Sequence, residues 1–92
     1  MIIKTSTDNV IKNMSYTEMK ALKALVVELE GARDREIIVS KIAEAAFVTR
    51  SVFVNVVRKL EVSGVIETES MGVKGMYIKI NNREALDIIA AG

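Results

Sequence analysis

Apolar residues recur at Met19, Leu22, Leu25, Val26 and Leu29, a spacing of three and four that predicts a helix with one buried face. Ser15 and Glu18 form a Ser-x-x-Glu capping box at its start, with Met14 and Met19 placed to staple around it. The predicted helix covers residues 14–30, and Gly31 suits the left-handed position that closes it. Residues 32–36 read as a charged loop, and Ile37-Ile38-Val39 as a short β-type run. Ser40 is then a candidate N-cap for a short helix over 41–46. Phe47-Val48 interrupts the pattern, and Thr49 is a second N-cap candidate before a longer helix that ends at Gly64. Residues 65–70 are strand-like, 71–75 form a Gly-bounded turn, and Met76, Ile78 and Ile80 alternate with Tyr77 and Lys79, so the pair predicts a β-hairpin. A terminal helix is expected over 83–90. Residues 1–13 are weakly patterned and read as a linker-helix remnant or a disordered tail ahead of one domain over 14–92.

Helix, short strand, short helix, tight turn, helix, hairpin is the order of an α+β winged helix-turn-helix, with a leading helix and a two-stranded β-hairpin wing. Helical geometry orients the longer helix. At about 100° per residue, Phe53, Val57 and Leu60 fall within about 60° of one another and form the expected buried stripe, with Val56 at its edge. Ser51, Asn55 and Arg58 fall opposite. They are a hydroxyl, an amide and a guanidinium, each able to address base edges or phosphates. The flanking Val52 and Val54 suit thymine methyl groups, or a protein partner if this is a winged-helix interaction module.

Composition narrows the chemistry. The chain has 92 residues with no Cys, His or Pro. This excludes thiolate and imidazole zinc sites, Cys nucleophiles, Ser-His triads and disulfides, and leaves carboxylates as the only candidate metal ligands or acid–base groups. Glu67 and Glu69, on one strand face, are the best candidates for an enzyme, but no site constellation surrounds them. We expect neither catalysis nor a metal. No apolar run approaches the roughly 18 residues of a membrane span and no signal peptide is visible, so a cytoplasmic protein is expected. The net charge of +1 hides a separation. Residues 40–59 and 70–83 hold seven basic residues (Lys41, Arg50, Arg58, Lys59, Lys74, Lys79 and Arg83) against the single acid Glu44, and the rest of the chain is acidic. Local positive charge of this kind favours nucleic acid. Gly72-Val73-Lys74-Gly75 has the spacing of an RNA-clamping Gly-x-x-Gly loop, but it lies between predicted strands, where a wing turn with Lys74 at its tip fits better.

From Ser40 onward the sequence closely resembles the DNA-binding domain of the CodY family of transcriptional repressors. The matching pieces are SKIA (40–43), TRSV (49–52), VN (54–55), RKLE (58–61), SGVIE, and the Gly-x-Lys-Gly wing followed by YIK, with SYTE and ELEG upstream. The resemblance covers roughly residues 14–82. It implies a winged helix-turn-helix that binds AT-rich inverted repeats in promoters as a dimer, in a regulator responding to nutrient status. It also implies that branched-chain amino acids and GTP act through an N-terminal effector domain with no counterpart here, leaving this chain without a cofactor. DNA contacts carry over to Ser40, Lys41, Thr49, Arg50, Ser51, Asn55, Arg58 and Lys74. Two positions depart from the family pattern: Phe47 stands where it has a glycine, and Ala45 where it has a basic residue. Phenylalanine disfavours positive φ, so the turn must either take another conformation or accept strain.

Overall fold

The computed structural model describes residues 14–72 and 75–91. The expectation for residues 1–13 and the tip residue Lys74 lie outside them. The elements in chain order are α1 (Tyr16–Glu28), β1 (Asp34–Ile38), α2 (Val39–Ala45), α3 (Arg50–Val62), β2 (Ile66–Ser70), β3 (Gly75–Ile80) and α4 (Arg83–Ala91). This is an α+β winged helix-turn-helix.

Helix α1 starts as its sequence requires. The Glu18 N–H donates to the Ser15 hydroxyl at 3.1 Å, and the Ser15 N–H donates to the Glu18 carboxylate at 2.9 Å. Its buried face is Ala21, Leu22, Leu25 and Leu29, and Met14, Met19 and Val26 pack at the margin. The stripe predicted on α3 is the one buried: Phe53, Val56 and Leu60 are fully inaccessible and Val57 nearly so. These two faces meet in one core with Ile42 of α2, Ile66 and Ile78 of the sheet, and Leu86 and Ile89 of α4.

The expected hairpin wing is present, and the short strand β1 joins it to complete a three-stranded antiparallel sheet of order β1-β3-β2. Two expectations need correction. The segment read as a charged loop is mostly strand: Asp34 pairs with Lys79 and Glu36 with Tyr77. The sequence pattern missed it because four of the five residues of β1 are exposed, leaving Ile37 as its one buried position. Ser40 is not an N-cap. Helix α2 begins at Val39, its N-cap is Ile38, and no side chain caps it.

Helices α2 and α3 end in the same hydrogen-bonded closure. At the end of α2 the Phe47 N–H donates to the Glu44 carbonyl at 3.1 Å and the Val48 N–H to the Ala43 carbonyl at 3.0 Å. At the end of α3 the Gly64 N–H donates to the Glu61 carbonyl at 3.0 Å and the Val65 N–H to the Leu60 carbonyl at 3.1 Å. This motif needs a left-handed residue just past the cap. Gly64 supplies it with φ 83°, and Phe47 supplies it with φ 58°. The helix-turn-helix turn thus accepts strain and keeps its conformation.

Candidate nucleic-acid interface

Thr49 fixes the start of α3, its hydroxyl accepting the Val52 N–H at 3.2 Å. The core-facing stripe then fixes the rotation of the helix, leaving Arg50, Ser51, Asn55 and Arg58 exposed along its outer side. Ser40 and Lys41, in the first turn of α2, are exposed as well. All seven of the described candidate residues therefore lie at the surface on the two helices of the helix-turn-helix or at the cap between them. Val52 and Val54 are half-buried and pack against the core, which removes the exposed apolar pair that a protein-interaction reading needed.

The basic set is smaller in space than along the chain. The Lys59 ammonium donates to the Glu18 carboxylate at 2.9 Å and joins α3 to α1. Burial pushes the Glu18 carboxyl up, but Lys59 and the Ser15 N–H outweigh it and hold the group below its ordinary range. Arg83 donates to the carbonyls of Leu29 and Ala32 at 3.0 and 3.4 Å and pairs with Asp87 at 3.6 Å, anchoring the start of α4.

Lys79 sits in a cross-strand row between Asp34 and Glu67, and the next row on that face is Glu36, Tyr77 and Glu69. The solvent face of the sheet is acidic, because β1 adds two carboxylates that sequence order had kept apart from the wing. The Asp34 carboxylate near the Tyr77 hydroxyl raises its pKa, with partial burial and the nearby Glu69 charge adding to the effect. Electrostatics thus favour a phosphate backbone at α3 and the first turn of α2, and oppose one on the sheet face. No metal-binding cluster of carboxylates exists among the described residues, and Glu67 and Glu69 lie exposed opposite Lys79 and Tyr77.

What sequence reasoning missed is the exposure of Phe47, whose side chain remains 86% accessible. The signal available was its place just before the Thr49 cap of α3, outside the apolar periodicity of either helix.

A capped outer helix with a polar face, a short helix before it and a β-sheet wing after it define a winged helix-turn-helix of the DNA-binding class. Residues 33–90 match the family model described as the CodY helix-turn-helix domain. The chain is 45% identical over 80 residues to the global transcriptional regulator CodY of Lysinibacillus sphaericus (strain C3-41), which covers 87% of this chain and 30% of that protein. It is 47% identical over 76 residues to the protein of the same name from Shouchella clausii (strain KSM-K16), covering 83% of this chain and 29% of the other. The chain belongs to the CodY helix-turn-helix family, whose members are transcriptional regulators and not enzymes. It spans less than a third of the length of these relatives. No described helix is long and apolar enough to cross a membrane.

Proposed function

We propose that this chain is the sequence-specific DNA-reading part of a CodY-type repressor, binding AT-rich inverted repeats in promoters as part of a homodimer in the cytoplasm. In the whole protein, branched-chain amino acids and GTP act through a separate effector domain and report nutrient status, and this chain itself holds no cofactor. The observation that carries the reading is the outer face of α3: Ser51, Asn55 and Arg58 stand exposed on a helix whose opposite side is locked into the core. A helix so fixed can enter a major groove in one rotation only, which gives base selectivity. Ser40, Lys41, Thr49 and Arg50 are suited to the flanking phosphates, and Lys74 is assigned the same role from the sequence alone.

Selection of duplexes from a random DNA pool tests the reading, followed by titration of variants against the enriched sequence. Asn55→Ala or Arg58→Ala should cost about 1–3 kcal/mol and relax preference at one position of each half-site. Ser51→Asp should keep the melting temperature, since a carboxylate suits the first turn of a helix, yet lose most DNA affinity. Enrichment of no sequence would sink the reading.

A further inference from the structure

We infer that Phe47 is itself a DNA contact, an apolar one that packs against the deoxyribose wall of the groove beside the first turn of α3. The inference rests on the DNA-binding reading above and adds a contact of a different chemical kind.

Three observations carry it. The backbone at Phe47 is left-handed, φ 58°, a conformation that is costly for any L side chain and free for glycine. The ring returns nothing to the fold, being 86% exposed. The inward apolar contact that this type of helix end uses is already made by the next residue, Val48, which packs against the core. The left-handed backbone serves the closure of α2, as at Gly64, but the exposed ring that makes it costly adds no contact to the core among the described residues. What the closure does not explain is a phenylalanine where glycine would serve at no conformational cost, and a side chain kept at such a cost points to a function.

Position selects the occupant. Val48 turns inward while its neighbours on both sides, Phe47 and Thr49, stay exposed, and Thr49 caps the helix that carries Arg50 and Ser51. Phe47 thus continues the surface that meets the duplex. Apart from Ala45, its exposed neighbours along the chain, Glu44, Thr49 and Arg50, are polar, a setting suited to a phosphate-lined groove. A duplex offers a ring in this setting what it lacks, the hydrocarbon faces of deoxyribose between phosphates and the methyl groups of thymine.

The test compares the parent chain with Phe47→Gly and Phe47→Tyr on the duplex enriched from the random pool, with thermal melts alongside. Phe47→Gly should melt about 2–5 °C higher through relief of the left-handed strain. It should bind about tenfold more weakly, as expected for losing roughly half the burial of a phenylalanine side chain. The dependence of affinity on salt should not change, because a neutral ring displaces no counterions. Phe47→Tyr, which keeps the ring, should bind within about twofold of the parent on the same burial argument. Equal affinity of Phe47→Gly and the parent would overturn the inference, as would a lower melting temperature for Phe47→Gly, which would give the ring a place in the fold. Loss of self-association in Phe47→Gly with DNA affinity unchanged would also overturn it, and would assign the ring to a second copy of the chain. If the parent itself enriches no duplex, the proposed function fails, a result distinct from these.

Discussion

The chain contains two phenylalanines, six positions apart, and they do opposite things. Phe53 is fully buried in the core, whereas Phe47 is 86% exposed on a left-handed backbone. The same residue type is thus a main core anchor in one place and a net cost to the fold in the other. A second pairing isolates the backbone part of that cost. Phe47 and Gly64 occupy the same position in the same helix-end motif, one with and one without a side chain. The difference teaches that hydrophobicity alone does not assign a residue to the core. The dihedral its neighbours impose and the direction it then faces decide.

The strongest test of the first contrast is Phe53→Ala. It should destabilise the domain by about 3–5 kcal/mol in urea unfolding, through lost transfer energy and the cavity left behind. A domain of this size has only about 5–15 kcal/mol to lose, so much of its thermal stability should go. A cost below about 1 kcal/mol would show that the buried ring is not the anchor the packing implies.

Next in size is the tie that holds α3 to α1. Arg58 and Lys59 are adjacent, but Arg58 faces outward while Lys59 bridges to Glu18, whose side chain is only 13% accessible. Lys59→Met should cost about 1.5–3 kcal/mol, the range for a hydrogen bond to a charged group, while Arg58→Met should change stability little. The Glu18 carboxyl titrates below its ordinary value, so its contribution is complete above the unfolded-state pKa of about 4.3 and is lost as pH falls through the lower folded value. Melting temperature should therefore drop in that acid window for the parent. Lys59→Met should flatten that part of the profile, and an unchanged profile would mean that the bridge is not what depresses Glu18.

The smallest effects separate the two turns. A Cβ added at Gly64 meets no atom within 4 Å, so Gly64→Ala should cost about 1 kcal/mol for conformational reasons alone. Phe47→Ala keeps the strained dihedral and removes only an exposed ring, so its stability should stay within about 0.5 kcal/mol of the parent. Equal and large losses at both sites would break the comparison, because they would mean that the Phe47 ring also stabilises the fold.

The sequence by itself determined the helices that bind their own ends and bury one face. The Ser15–Glu18 box, the Thr49 cap and the Phe53–Val57–Leu60 stripe are local devices, complete within a few residues, and the outward set of Ser51, Asn55 and Arg58 follows from the same periodicity. The general fold class was legible for this reason, as was the candidate interface on α3. Only the tertiary structure decided what depends on distant partners. Strand β1 has a single buried residue and no alternating pattern, so its pairing with β3 was not written in its own segment. That pairing turned the exposed face of the sheet acidic, and the reach of Lys59 to Glu18 and of Arg83 to the end of α1 removed two cations that sequence order had placed beside the interface. Charge along a chain is a one-dimensional quantity, and the field that a duplex meets is set by which side chains the fold brings to one face. The turn at Phe47 was decided the same way. Its residue type opposes a left-handed dihedral, but the hydrogen bonds closing α2 and the burial of Val48 impose one.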